Sequence, residues 1–294
     1  MRGTHKVVFE DRHKRYEFEI KHKFNIILGD SGSGKSYLCE KLRQGSREGR
    51  NKSRFKSDLV ARSVYSMEDL FNALKNGYTL ILVDENTLTK FCKGDAGEMF
   101  ARAIENTGVY FIFMARNRRL SAIPIDVMAC FRLKEQFGGG KSKYTLENLY
   151  HWNYEPIMYP DEVIIEDSKV GYQFYDTTLT RNECISAHGN SNIVSTVKAE
   201  LAKGVKNIFV IADGCGFGVY FEELRELKDS KEQIPGVEIR YFFPPSFEYL
   251  VLKAQIFKID LDILENTQNH TDVSDYFGWE AFYTDYLRVV SDFK

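Results

Sequence analysis

No stretch of this 294-residue chain approaches the roughly 20 continuous apolar residues that a bilayer-spanning helix requires, so no helical membrane span is expected. The charged start, Met1 to Lys6, has no apolar run behind it, and a secretory signal is not expected. Cysteine is sparse. Cys39, Cys92, Cys130, Cys184 and Cys215 lie far apart, none in a C-x-x-C spacing. That spacing argues against a zinc site and against a secreted disulfide scaffold, and it points to a reduced, cytoplasmic compartment. There is no internal repeat and no low-complexity tract, and the six scattered histidines suggest no ligand set.

What is present suits two packed domains. The hydrophobic share is 43%, enough for cores of ordinary size. The net charge of −2 hides an asymmetry: residues 1–140 carry 25 Lys and Arg against 17 Asp and Glu, and the remainder carries 15 against 25. A basic first half and an acidic second half imply different tasks or mutually attracting surfaces.

Patterning gives an α/β fold with two tandem parallel-sheet domains. An opening hairpin alternates through Val7, Phe9, Tyr16, Phe18 and Ile20 around the Asp11–Lys14 turn. A buried strand follows at Phe24–Leu28, then a glycine loop and a helix to about Arg43. The polar, basic residues 44–57 read as a surface loop. Ser66 caps a short helix that Gly77 ends. Thr79–Val83 and Val109–Ala115 are apolar runs of central-strand type, and Met128–Leu133 is a weaker one. Gly138-Gly139-Gly140 breaks the pattern. Residues 1–140 are therefore expected as one domain, 141–160 as a linker, and 161–294 as a second alternating α/β domain with a helical, aromatic C-terminal tail.

Gly29-Asp30-Ser31-Gly32-Ser33-Gly34-Lys35-Ser36, followed by Tyr37, fits G-x-x-x-x-G-K-[ST] in full. Glycines let successive backbone N–H groups turn toward a β-phosphate, and the following helix aims its positive end at the same point. Lys35 is expected on the β- and γ-phosphates of ATP and Ser36 on Mg²⁺. The strand Thr79–Val83 ends in Asp84-Glu85, where Asp84 is expected to hold the metal shell and Glu85 to orient the attacking water. Arg116 and Asn117, after the third buried strand, are expected to sense the γ-phosphate. Arg118 and Arg119 suit an arginine finger for a neighbouring subunit. Residues 24–134 resemble the additional-strand, catalytic-glutamate class of P-loop NTPases, in which an extra strand separates the P-loop strand from the Walker-B strand. Lys35 and Asp84 are only 49 positions apart with no Leu-Ser-Gly-Gly-Gln-like signature between them, too compact for an ABC-type ATPase.

In the second half, Glu166 ends the strand Val163–Ile165, Gly189 follows the next, and Asp213 ends Ile208–Ala212. Ligands of open α/β sheets lie at the carboxyl ends of the strands, so Glu166 and Asp213 are expected to converge there. A divalent cation relieves the repulsion of clustered carboxylates. Residues 161–244 resemble the topoisomerase–primase (Toprim) fold, which implies Mg²⁺-dependent phosphodiester chemistry. Cys215 stands where the second Asp of that family's Asp-x-Asp belongs, and a thiol is a poor magnesium ligand. Glu248, Glu222 or Glu223 are the candidates to compensate.

Three functions are compatible with these residues. The first is an ATP-hydrolysing protein whose nucleotide state controls a Toprim-like domain acting on DNA or RNA. Its architecture resembles the overcoming-lysogenization-defect nucleases and related phage-defence proteins. The second is an ATP-gated switch with a catalytically silent Toprim-like platform. The third is a small-molecule kinase. Self-association or a partner protein is compatible with all three. The basic stretch Lys41 to Lys56 reads as a solvated loop or a phosphate-backbone track, and the aromatic tail as packing.

Overall fold

The computed structural model describes residues 1–29, 32–45, 54–91, 96–115, 120, 122–138, 140–151 and 159–292. Along the chain these form β1 (His5–Glu10), β2 (Lys14–Ile20), β3 (Phe24–Leu28), α1 (Lys35–Gly45), β4 (Arg54–Lys56), β5 (Ala61–Val64), α2 (Met67–Lys75), β6 (Leu80–Val83), α3 (Glu85–Phe91), α4 (Ala96–Glu105), β7 (Tyr110–Ala115), a short 3-10 turn (Val127–Ala129), β8 (Cys130–Gly138) and β9 (Lys141–Asn148). A second alternation follows: β10 (Glu162–Ile165), α5 (Val170–Thr178), β11 (Glu183–Ser186), α6 (Ile193–Lys203), β12 (Asn207–Ile211), α7 (Gly214–Lys231), β13 (Glu238–Phe242), then α8 (Phe247–Lys253), α9 (Leu261–Glu265), α10 (Thr267–His270) and α11 (Trp279–Val290). No described helix is long and apolar enough to cross a membrane.

The first nine strands make one sheet in the order β4-β1-β2-β9-β8-β3-β7-β6-β5. Strands β8, β3, β7, β6 and β5 are parallel, and β3, β6 and β7 are buried at every position. Burial on both faces explains their unbroken apolar runs. Strand β7 lies between β3 and β6, the inserted position expected of it. Ser66 caps α2 as its position predicted, accepting from the Asp69 N–H at 3.1 Å.

Two expectations fail in this sheet. Residues 141–148 are not linker: they form β9, antiparallel to β8 and parallel to β2. Gly138 pairs with Lys141 where β8 gives way to β9, Gly139 lies outside the described residues, and the first unit extends to Asn148. Within the basic stretch, Arg54–Lys56 is an edge strand on β1, while residues 46–53 lie outside the described residues.

The second sheet is wholly parallel, in the order β11-β10-β12-β13. Side chains alternate between its faces. Ile164, Ile208 and Val210 share a core with Val194 and Val197 of α6 and Phe217, Phe221 and Leu224 of α7. Val163, Ile165 and Ile211 face Tyr172 and Tyr175 of α5. The chain steps from β10 out to β11 and returns past β10 to β12, so the order reverses between β10 and β12. In such sheets the crevice opens at that point, beyond the carboxyl ends of the strands.

A broad seam joins the two units. The α-amino group of Met1 meets Asp272 at 2.5 Å, Phe277 packs edge-on against Phe24, and Trp279 stacks on His22 with centroids 4.0 Å apart. Helix α7 lies on residues 125–130. A Cβ at Gly218 would sit 2.5 Å from the Ile125 carbonyl oxygen, and one at Gly214 would sit 3.2 Å from Val127 Cγ2. Spaced four apart, the two glycines share one helix face and let backbone approach backbone.

Candidate functional sites

The chain leaves β3 at Gly29 with φ 137°, passes Gly32 at 86° and Gly34 at 94°, and enters α1 at Lys35. These left-handed values strain any residue that carries a Cβ. At Gly34 space is also limiting, since a Cβ would lie 3.0 Å from the Tyr16 hydroxyl. Tyr16 donates to the Gly34 carbonyl at 2.9 Å and stacks on Tyr144, with centroids 4.7 Å apart. Strands β2 and β9 therefore floor the loop. Lys35 is buried, and its ammonium curls back to donate to the Gly29 carbonyl and to the Ser33 hydroxyl. Tyr37 turns aside and donates to the Asp11 carboxylate, with the Lys14 ammonium 4.6 Å from its ring centre. Asp30 and Ser31 lie outside the described residues.

Ser36 and Asp84, 48 positions apart in sequence, line one cleft of about 160 Å³. Asp84 follows β6 directly, and its carboxylate accepts the Thr87 N–H at 2.8 Å at the start of α3. A hydroxyl and a carboxylate are the hard oxygen donors that magnesium prefers, so this pair fits the cation. Glu85 does not line the cleft; it is the first residue of α3. Glu40, Arg43 and Tyr65 do line it and were not anticipated. A signal for two of them existed: Glu40 and Arg43 lie four and seven residues after Ser36, on one face of α1. Arg116, Asn117, Arg118 and Arg119 lie outside the described residues. Ala115, just before them, pairs with Leu28, so the chain leaves β7 level with the start of the glycine loop.

The second sheet brings Glu166 and Asp213 together at its reversal point. Ile165 pairs with Ile211, and the Glu166 carboxylate accepts the Asp213 N–H at 2.9 Å. Burial pushes the Glu166 carboxyl up to about 7, and the Asp213 N–H partly offsets this. Asp213 is raised well above the usual carboxylate range, first by burial and then by the charges of Glu166, Glu280, Glu248 and Asp167. Asp213 stands at the start of α7 without making a capping bond. The first two α7 amides are already taken by the Pro244 and Pro245 carbonyls, at 2.7 and 3.0 Å. Those two amides are therefore not available to an anion. Asn190, against Gly216 of α7, has a buried Oδ1 with no hydrogen-bond partner. The oxygen-rich donor set suits a hard cation, which would relieve the crowded carboxyls. Its number is small, however: among the described residues no group of three or more His, Cys, Asp or Glu side chains is arranged to hold a metal.

The expected compensators divide. Glu248 opens α8 and contributes its charge at Asp213. Glu222 is engaged by Arg225 and Arg132, and Glu223 by Lys198. Cys215 points away from the acids. It is buried in the helical tail's core with Leu252, Phe282 and Tyr283, and its thiol donates to the Asp126 carboxylate at 3.4 Å. Burial and Asp126 raise the thiol well above its ordinary range. On the other side of Asp126, His22 lies 3.7 Å away, and burial lowers its basicity. Comparison with protein families, curated proteins and solved structures finds no match for this chain.

Proposed function

We propose that this chain binds and hydrolyses ATP with Mg²⁺ at residues 29–36, and that nucleotide state controls phosphodiester chemistry on nucleic acid at the Glu166–Asp213 pair. One observation carries the first half. Ser36 and Asp84 reach a common cleft beside a left-handed glycine loop that encloses the Lys35 ammonium. Lys35 is the cation for the β- and γ-phosphates, and Ser36 and Asp84 hold the magnesium, which supplies charge neutralisation on the phosphate oxygens. Phosphate release measured without any acceptor tests this reading: the wild type should release phosphate and Lys35→Ala should not. Strict dependence on an added acceptor would make the protein a kinase instead.

The second half is supported by two carboxyls crowded at the reversal point of a parallel sheet, with Asn190 beside α7. Glu166 and Asp213 would hold the divalent cation and present it to the phosphodiester. Helix α7, which follows Asp213 directly and is seated on residues 125–130, is the element that joins the two sites. Those residues lead into β8, the hydrogen-bonded neighbour of β3. A second reading, an ATP-gated platform without chemistry of its own, is favoured by the inward Cys215 and the small donor set. Plasmid nicking with Mg²⁺ or Mn²⁺ separates the two. Loss of nicking in Glu166→Ala and Asp213→Ala supports the nuclease, and no nicking by any form leaves the platform.

A further inference from the structure

The acid pair has an aromatic border. Phe174 and Tyr175 on α5 and Phe247 at the start of α8 form a trio, with centroids 5.3 Å apart for 174–175, 5.4 Å for 174–247 and 6.4 Å for 175–247. The trio runs from the interior outward. Tyr175 packs beneath α5 against the sheet, and Asp213 lies near enough to help burial raise its phenol to about 12. Phe174 at the outer end is 48% exposed, and Val170, one turn earlier on the same face, is 66% exposed. Both flanking elements start at the carboxyl end of the strands. The Asp167 carboxylate accepts the Gly171 N–H at 2.7 Å and pins the first turn of α5 beside Glu166. Phe247 lies between Ser246, the buried α8 cap, and Glu248.

Phe174 is an exposed ring backed by two half-buried ones that border the acid pair, a surface suited to a flat ligand. Resting on the reading of Glu166 and Asp213 as a phosphodiester site, we infer that the substrate is an unpaired nucleic-acid segment, one of whose bases lies on the Phe174–Phe247 ledge while its phosphate reaches the acids. A paired base hides both faces in the helical stack, and only an unstacked one offers a π-face to a ring. Charge supports the choice. A duplex carries about one negative charge per 1.7 Å of axis, roughly twice the density of one strand, so a half of the chain with 15 Lys and Arg against 25 acids repels it more. Aromatic contact must therefore supply affinity that electrostatics does not.

The test is fluorescence anisotropy of the full chain with a labelled single-stranded oligonucleotide and with its duplex, in Ca²⁺. The wild type should prefer the single strand. Phe174→Ala should weaken single-strand binding about tenfold, in line with the loss of one stacked base, and leave duplex binding unchanged. Phe174→Tyr, which keeps a ring, should bind like the wild type. Equal binding of duplex and single strand, or an unaffected Phe174→Ala, overturns the inference. So does a fall in mass by light scattering in Phe174→Ala, which would mean that the ledge joins two copies. Failure of the underlying reading looks different: single-strand binding would still depend on Phe174, yet neither Mg²⁺ nor Mn²⁺ would yield cleavage sensitive to Glu166→Ala.

Discussion

Replacing Lys35 by alanine removes a buried ammonium that donates to the Gly29 carbonyl and the Ser33 hydroxyl of the glycine loop. At a ligand concentration of 100 times Kd, binding stabilises a protein by about 2.7 kcal/mol. For a chain of this size that corresponds to a rise of roughly 4–5 °C in melting temperature. Wild type with ATP and Mg²⁺ should show such a rise, and Lys35→Ala should show none. An unshifted wild type would remove the nucleotide site altogether. A pH prediction follows from Glu166, whose carboxyl is raised from 4.5 to about 7 on folding. Folding therefore favours the protonated form. The associated stability is complete below pH 4.5, is lost as pH rises toward 7, and stays lost above. With chelator present, melting temperature should fall across pH 5–7, and Glu166→Gln should make that slope shallower and raise the melting temperature at pH 8, with Asp213 supplying the remaining slope. An identical slope in the variant would refute the assignment.

Among the elements, α7 gives the sharpest contrast between local and tertiary effects. Alanine normally outranks glycine within a helix by about 1 kcal/mol, so propensity alone makes Gly218→Ala stabilising. The seam reverses the sign, because the new methyl would stand 2.5 Å from a backbone oxygen. We expect Gly218→Ala to destabilise by about 1–3 kcal/mol in denaturant titration, a range typical of overpacking. A stabilised variant would mean that the seam is looser than described. By contrast, Ser66→Ala at the α2 cap should cost only about 1 kcal/mol. These elements also show what a linear reading can reach. β3, β6 and β7 were legible because burial on both faces demands unbroken apolar runs. The strand-end positions of Glu166 and Asp213 were legible for the same reason. Strand β9 was not: only Tyr144 within it is buried, and the glycine turn before it resembles a domain break. The inward course of Cys215 was not legible either, because its partner Asp126 is 89 residues away, a contact without any local signature.

On the scale of the whole molecule, the seam ties Met1 to Asp272 and packs Phe277 and Trp279 against the first unit. Thermal unfolding should accordingly be a single calorimetric transition that ATP moves as one. Two transitions, only the first of them nucleotide-sensitive, would show that the units are thermodynamically separate. The strand order has a further consequence for the chain as it is made. Strand β9 sits between β2 and β8, so β4, β1 and β2 are joined to the parallel strands through residues 141–148. A nascent chain emerges at about 5–20 residues per second, and β2 must wait for more than a hundred residues with its second edge unpaired. The glycine loop waits as well, because its floor needs Tyr144. On the proposed reading, nucleotide capture is thus deferred until residue 144 has left the ribosome, and truncation at residue 140 would leave a chain without that floor.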